Sequence, residues 1–305
     1  MPHPESKRAL IAPRTTPIPV SYARRPGRRR GVDVLLWFCI TWVAVVVVAA
    51  IVAPLLPLAE SQEASKTLLV PINQPPFTVD GHPLGTNGLG LDIFARLIYG
   101  SRISLTVSIV AVIIGTSVGA LLGVIAGYLR GTTDAIVGVL TNALLAVPTL
   151  ILLIAIATVL RPNVVTLTLT LALVTIPGLT RVARANTLPV AQREFVTVAR
   201  ALGARKGRII FRELLPNVLL AMIPLCFVYI SALIVAEASM GFLGIGIRQP
   251  TPTWGNMIAE GLGGKMEQYP HLVYIPATVL FLTVFSFNLI GERLRKQWDK
   301  REVSL

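Results

Sequence analysis

The chain has 305 residues, of which 53% are apolar and only 14% are charged, whereas soluble domains carry about 25% charged residues. This composition excludes a globular protein whose main solvent is water. The formal net charge of +13 does not indicate nucleic-acid binding, because membrane topology explains where the basic residues lie. Two cysteines, Cys39 and Cys226, lie inside apolar stretches and predict neither a disulfide framework nor a metal pair.

Six stretches of the chain contain no charged side chain, and the length of each is close to the ~20 residues that an α-helix needs to cross a bilayer. The first could be a secretory signal, but its length favours an anchor, since the apolar region of a signal has about 7–15 residues. The pattern predicts an all-α, polytopic membrane protein with six transmembrane helices, at residues 34–59, 103–129, 135–160, 162–180, 214–236 and 268–291.

The charged residues divide the rest of the chain into segments. The Pro- and Arg-rich N-terminus predicts a disordered basic tail, which sets topology or binds anionic lipid or a partner. The predicted organisation is a cytoplasmic tail at 1–33, an anchor at 34–59, an extracytoplasmic segment at 60–102, a five-helix core at 103–295 with a cytoplasmic loop at 185–213, and a cytoplasmic tail at 296–305.

The distribution of Lys and Arg predicts the orientation of the chain. With the N-terminus inside, 22 of the 28 basic residues face the cytoplasm and six face the opposite side, in agreement with the positive-inside rule. Both termini are therefore expected in the cytoplasm, and the chain is expected to be a multi-pass protein of the plasma (inner) membrane.

Two features inside the predicted spans indicate specific contacts. Glycines recur every four residues along the second span and allow a helix of this chain or of a second subunit to approach closely. Glu237, near the outer end of the fifth span, is by default a functional candidate, either for proton or substrate contact or for a structural hydrogen bond. The glycines are Gly115, Gly119, Gly123 and Gly127.

The sequence lacks the common catalytic and metal-binding patterns. His3, His82 and His271 are dispersed, and no HExxH, CxxC, GxSxG or complete P-loop occurs. We therefore expect no catalytic residue, no metal site and no bound cofactor in this chain, and no ATP hydrolysis by the chain itself. Composition alone leaves a secondary, ion-coupled transporter of small solutes as the alternative and a membrane-bound enzyme as a third class.

The loop at 185–213 shows helical periodicity. Pro189 suits the first turn of a short helix, and Gly203 suits a left-handed stop after it. This amphipathic helix could lie on lipid headgroups or in a groove of a partner protein. Apolar residues at i, i+3, i+4 and i+7 form one stripe on it, which consists of Phe195, Val198, Ala199 and Leu202.

The end of this loop resembles the EAA loop of ABC importer permeases, the cytoplasmic element that docks onto the ATPase subunit. Its sequence is FVTVARALG followed by ARKGRIIFRELLPN, and Gly203 stands thirteen residues before Pro216, as in the family pattern. Thr197 and Val198 replace the Glu and the first Ala of that pattern, and Glu213 replaces the usual Ile.

Three further segments resemble the C-type (DppC/OppC-like) permease subunits of dipeptide, oligopeptide and nickel importers. They are HPLGTNGLGLDIFARLIYGSRISL at 82–105, AEASMGFLGIGIRQPTPTWGNMI at 236–258 and the closing FNLIGERLRKQWDKR. In the first segment Asn87, Leu91 and Ala95 replace the usual Asp, Arg and Ser. With the loop, the segments cover the chain from about residue 82 to its end in the family's order.

The resemblance implies an ABC type I importer permease fold and import of peptides, driven by ATP hydrolysis in partner subunits that bind ATP and Mg²⁺. Besides membrane lipid, it implies a second, B-type permease subunit, two ATP-binding cassette ATPase subunits and an extracytoplasmic substrate-binding protein. It also implies that the binding protein, and not this chain, selects the peptide.

The resemblance assigns roles to three groups of residues. The basic side chains of the loop, among them Arg200, either pair with an acidic ATPase surface or set topology. The residues expected to couple the chain to an ATPase are Phe195, Thr197, Val198, Ala199, Arg200, Leu202, Gly203, Leu215 and Pro216. Possible contacts with the binding protein or with the transport path are Asp92, Arg96, Glu237 and Trp254.

Overall fold

The structure is a computed structural model that describes residues 34–58, 61–262 and 265–302. The predicted basic tail at 1–33 and the last three residues of the predicted C-terminal tail lie outside these ranges. Apart from one isolated bridge between Thr86 and Asp92, the described residues form helices and loops. The helices are α1 (Val34–Val52), α2 (Ile93–Leu129), α3 (Gly131–Ala146), α4 (Thr149–Val159), α5 (Val164–Val190), α6 (Glu194–Ala201), α7 (Lys206–Arg208), α8 (Leu215–Phe242), α9 (Trp254–Glu260), α10 (Lys265–Gln268) and α11 (His271–Glu302).

Short turns of other helical types extend these elements. A 3₁₀ turn at Ala53–Leu55 continues α1, and another lies at Ala64–Thr67. A π-helical turn at Ile209–Leu214 joins α7 to α8, so that a helical path runs from Lys206 to Phe242.

Five helical segments in the described part of the chain are long and apolar enough to cross a membrane. They are Val34–Leu55, Ile93–Leu129, Val164–Val190, Lys206–Phe242 and His271–Gln297. The remaining predicted span, at 135–160, is the pair α3 and α4, which meet at an angle of 84°. The all-α, multi-pass architecture is confirmed, with five continuous spans and one bent pair where the sequence predicts six helices.

Pro148 explains the bend between α3 and α4. Val147 is extended, with φ −87° and ψ 124°, as expected for a residue whose α-helical conformation would clash with a following proline ring. The helix therefore ends at Ala146 and a new one begins at Thr149.

Several helices extend beyond the predicted spans, and three of them do so by ten residues or more. The second span begins at Ile93 and not at 103, because Asp92 caps α2: its Oδ2 accepts a hydrogen bond from the amide of Ala95 at 2.8 Å. At their other ends, α5 continues to Val190, inside the predicted loop, and α11 continues to Glu302, inside the predicted C-terminal tail.

The prediction that Pro189 opens the amphipathic helix is wrong, because Pro189 lies in the last turn of α5. The amide of Ala191 donates to the carbonyl of Thr187 at 2.8 Å, so the hydrogen bonds of α5 continue past the proline. The next helix, α6, begins only at Glu194.

The glycine face of α2 packs against α5 of the same chain. At each of the four glycines, an added Cβ would lie between 2.1 and 2.9 Å from an atom of α5, closer than real side chains approach. Of the two predicted alternatives, the structure contains the contact within one chain. This contact brings the backbones of α2 and α5 close together. The pairs are Gly115 with Thr175, Gly119 with Leu179, Gly123 with Ala183, and Gly127 with Thr187.

Three clusters of buried apolar side chains follow α2 along its length. The first surrounds Trp254 and joins α2 to α1, α8, α9 and α11. The second surrounds Leu171 and joins α2 to α4, α5 and α8. The third joins α2 and α5 to Val196 of α6, to the π-helical turn and to α8. Because α2 takes part in all three, it is the central helix of the described structure.

Candidate functional site

The helix α6 projects an apolar stripe away from the protein while one side chain anchors it. Val196 is completely buried in the cluster that also contains Ile209 and Leu214. The stripe residues Phe195, Val198 and Leu202 are 38%, 56% and 82% exposed. A short helix that buries one residue and exposes three large apolar ones has the shape of a contact surface.

Gly203 ends α6 in the left-handed conformation that the sequence predicts. Its φ is +79°, and no atom lies within 4 Å of the position of an added Cβ. The amide of Ala204 donates to the carbonyl of Ala199 at 3.0 Å, which closes the last turn. Gly203 is therefore required by backbone conformation and not by lack of space.

The stripe forms one wall of an open cleft of about 610 Å³. The segment that leads into α8 contributes one basic and one acidic side chain to the lining, and α6 itself contributes the acidic Glu194. An element entering this cleft would therefore meet both apolar and charged side chains. The lining residues are Glu194, Phe195, Val198, Ala199, Leu202, Gly203, Ala204, Arg208 and Glu213.

The two remaining predicted coupling residues of α6 have different surroundings. Thr197 is exposed. The guanidinium carbon of Arg200 lies 5.8 Å from the centroid of the Tyr128 ring, at the end of α2, which is within the range of a cation–π interaction. The sequence did not indicate this contact, because 72 residues separate the two positions in the chain.

Leu215 and Pro216 stand where the π-helical turn passes into α8. Pro216 has no N–H to donate to the carbonyl of Arg212. One residue further on, Asn217 Nδ2 donates to the carbonyl of Glu213 at 2.6 Å. Leu214 is completely buried, Leu215 is half-buried and Pro216 is exposed, so this junction is anchored in the core beside the cleft.

At the predicted outer end of α2, the residues expected to contact other proteins are buried. Asp92, Arg96 and Trp254 are each at most 1% exposed. Arg96 forms an ion pair with Glu260 and donates to the carbonyls of Ser61 at 3.2 Å and Pro250 at 3.1 Å. As surface contacts for a binding protein, these three side chains have to be withdrawn: Arg96 and Trp254 hold the outer segments onto α2, and Asp92 caps that helix.

Glu260 and Asn87 complete this buried network, and the sequence reasoning missed both. Asn87 Nδ2 donates to Glu260 Oε2 at 2.8 Å. Burial raises the pKa of Glu260, while the charge of Arg96 and the hydrogen bond from Asn87 lower it, and burial has the larger effect. The sequence signal was weak, since Glu260 is one acid 164 residues from its arginine.

Glu237 is completely buried in α8 and accepts a hydrogen bond from Ser104 Oγ of α2 at 2.8 Å. The contact that the structure provides is thus a structural hydrogen bond between two spans. A second polar contact between helices was not anticipated: near the ends of the predicted spans, Arg184 of α5 forms a bidentate ion pair with Asp134 of α3, at 2.5 and 2.7 Å. In the described residues no group of three or more His, Cys, Asp or Glu could hold a metal ion.

Comparison with known proteins identifies the chain. Residues 119–303 match the family model described as binding-protein-dependent transport system inner membrane component. The dipeptide transport system permease protein DppC of Haemophilus influenzae is 36% identical over 277 residues, which cover 90% of this chain and 92% of the relative. The glutathione transport system permease protein GsiD of Shigella flexneri serotype 5b is 40% identical over 220 residues, or 72% of each chain.

The fold also matches a solved transporter. Inward-facing structures of the MetNI methionine ABC transporter superpose with a TM-score of 0.53 at 19% identity, over 66% of this chain and 95% of that chain in one crystal form. At this identity the match concerns the fold alone, which is that of an ABC importer permease.

The fold and the matches together define the class: the protein is a multi-pass inner-membrane permease of an ABC importer. Within that class the chain belongs to the family of binding-protein-dependent transport system inner membrane components. Its relatives are transport permeases and not ATPases, and in such systems the ATPase subunits hydrolyse ATP. The family therefore favours an ABC importer permease over the secondary transporter and the membrane-bound enzyme.

Proposed function

We propose that the chain is one half of a heteromeric permease that imports peptides, and that α6 couples it to an ATPase subunit. Its partners would be a B-type permease, two ATPases that bind ATP and Mg²⁺, and an extracytoplasmic binding protein that selects the cargo. Peptide cargo is supported by the names of two relatives, which transport dipeptide and glutathione.

The observation that carries the coupling role is the shape of α6. Its apolar side chains Phe195, Val198 and Leu202 are exposed, and in an inner-membrane protein such a stripe needs either lipid or a protein partner to cover it. The cleft beside the stripe is also lined by the charged residues Glu194, Arg208 and Glu213, which suits a protein element better than acyl chains.

A substitution at Gly203 tests this role. Valine there would force a β-branched residue to a φ of +79°, a strain of about 1–3 kcal/mol that would displace the end of α6. In proteoliposomes holding the complete transporter, we expect Gly203→Val to lower peptide uptake by about tenfold or more, since ~1.4 kcal/mol corresponds to tenfold, while ATP hydrolysis continues.

Gly207→Val is the matched control. Gly207 lies in the same loop, it is exposed, and an added Cβ meets nothing within 4 Å, but its φ is not in the left-handed region. We expect this variant to insert, assemble and transport normally. Normal peptide uptake by Gly203→Val would contradict the coupling role of α6. Peptide uptake that continues after ATP depletion but stops when an ionophore is added would contradict ATP-driven import.

A further inference from the structure

The helix α2 runs unbroken from the predicted outer end of the molecule to the predicted inner end. Its 37 residues form a rod of about 55 Å at ~1.5 Å per residue, longer than the ~40–45 Å of a bilayer with its headgroups. Along one face, the four glycines hold it against α5, so the two helices form a stiff pair.

The outer end of this rod is attached to the segments around α9. Trp254 Nε1 donates to the carbonyl of Leu97 at 3.3 Å, and Arg96 donates to the carbonyl of Pro250 at 3.1 Å. Further along α2, Ser104 donates to Glu237 of α8. Two of these hydrogen bonds connect α2 to the predicted outer segments, and the third connects it to α8, so a displacement of α2 is passed to both.

The inner end of the rod meets α6. Tyr128, one residue from the end of α2, is half-buried against the cluster that contains Val196, and Arg200 places its guanidinium 5.8 Å from the ring centroid. Arg200 is itself exposed and lies in the last turn of α6, just before Gly203. Contact between Arg200 and Tyr128 thus connects the free end of α6 with the inner end of α2.

We propose that Arg200 and Tyr128 are positioning residues that join α6 to α2, so that a displacement of α6 by the ATPase moves α2 and the outer segments attached to it. Packed side chains and rigid helices are the physical means by which distant sites are coupled. This contact between Arg200 and Tyr128, which we call the joint, rests on the proposed function, in which α6 is the coupling helix. It gives Arg200 a role within this chain.

The test uses the complete transporter in proteoliposomes and measures peptide uptake per ATP hydrolysed. Loss of a cation–π contact corresponds to about a two- to fivefold change in an equilibrium. We expect Arg200→Gln and Tyr128→Leu each to lower uptake per ATP by about this factor, with the ATPase still co-purifying. The double variant should be no worse than either single variant, because both remove the same contact.

Two further variants separate this joint from packing and from charge. Tyr128→Phe keeps the aromatic face and should restore the wild-type ratio that Tyr128→Leu loses. Arg193→Gln removes a positive charge at the N-cap of the same helix, at the end opposite to Arg200, and should leave the ratio unchanged. Arg200 is exposed, so Arg200→Gln remains informative even if Tyr128→Leu misfolds.

Several results would overturn the joint. One is loss of ATPase binding in Arg200→Gln, and another is a double variant whose losses of uptake per ATP multiply. The joint would also be contradicted if Tyr128→Phe lowered uptake per ATP as much as Tyr128→Leu, or if Arg193→Gln lowered it as much as Arg200→Gln. An uncoupled Gly203→Val together with a normal Arg200→Gln would remove the joint and leave the coupling helix in place. A normal Gly203→Val would remove the coupling helix itself.

Discussion

Arg96 and Glu260 place opposite charges where little water reaches, with side chains that are 1% and 13% exposed. Removing both charges from water costs free energy that their attraction only partly returns. In the structure, Nη1 of Arg96 donates to two loop carbonyls and Asn87 occupies the second oxygen of Glu260, whereas Nε of Arg96 is buried without a hydrogen-bond partner among the described residues. Such a network tolerates the loss of one partner poorly, because an unpaired charge then stays buried.

Asp92 has a separate and testable effect on stability, because it is a buried cap. Burial raises its pKa above the ordinary 3.8, although the hydrogen bond from Ala95 and the nearby His82 lower it. Because the pKa of Asp92 is higher in the folded state than in the unfolded state, its contribution to folding stability is fully present below the unfolded pKa, where the carboxyl is protonated. This contribution is lost as the pH rises through the folded pKa, so ionised Asp92 lowers the stability of the fold at neutral pH.

We therefore expect Asp92→Asn to keep the cap and to remove the penalty, since Asn and Asp cap helices equally well. Relative to wild type, this variant should gain stability as the pH rises from about 3.9 towards 7. Asp92→Ala, which loses the bond to Ala95, should be destabilised by about 1 kcal/mol through the lost cap. Thermal unfolding of the purified complex between pH 4 and 8 measures both, and a stability gap between Asn and Asp that does not change with pH would contradict the assignment.

At the scale of the element, the glycine face of α2 decides how closely two spans pack. A Cβ at Gly123 would lie 2.5 Å from Ala183 Cβ and 2.6 Å from the carbonyl oxygen of Thr180. The helices would have to separate, and overpacking of this kind costs about 1–3 kcal/mol. We expect Gly123→Ala to lower the melting temperature of the detergent-solubilised protein.

Gly138 provides the matched control for this change. It also lies inside a helix, α3, but nothing stands within 4 Å of an added Cβ. Because alanine is a better helix former than glycine by about 1 kcal/mol, Gly138→Ala should leave the melting temperature unchanged or raise it. Equal effects of the two substitutions would mean that the close approach of α2 and α5 does not limit stability.

Sequence periodicity predicted the elements better than their ends. The stripe of α6 and its stop at Gly203 follow from the 3.6-residue repeat and from the backbone freedom of glycine, both of which are local properties. Pro189 was misassigned because proline is tolerated in the last turn of α5 as well as in a first turn, and only tertiary packing decides between them. The bend at Pro148 was similarly hidden, since an uncharged stretch does not show whether its helix is straight.

At the scale of the whole molecule, composition predicted the membrane architecture, because a bilayer demands about 20 apolar residues per crossing. The contacts that organise the ends of α2 could not be predicted in this way. Arg96 and Glu260 are 164 residues apart, and Ser104 and Glu237 are 133 apart. Such pairs are determined by how the spans assemble, on which a single sequence carries no local signal.

Orientation in the membrane is the property of the whole molecule on which the coupling role of α6 depends. The 22 basic residues on one side predict that α6 faces the cytoplasm, where ATPase subunits bind, and that residues 60–102 face outward. Thr78 and Thr197 are exposed on these two predicted sides. With Cys39 and Cys226 replaced by alanine, a single cysteine at either position reports its side through a membrane-impermeant maleimide.

In right-side-out membrane vesicles from cells that lack the ATPase subunits, which would otherwise cover Thr197, we expect Thr78→Cys to react at once and Thr197→Cys to react only after permeabilisation. Inside-out vesicles should reverse the order, which controls for differences in intrinsic reactivity. If Thr197→Cys reacted from outside in sealed right-side-out vesicles, α6 would lie on the side of the membrane that ATP does not reach. The stripe, the cleft and the Arg200–Tyr128 joint would then all lack the ATPase that is supposed to move them.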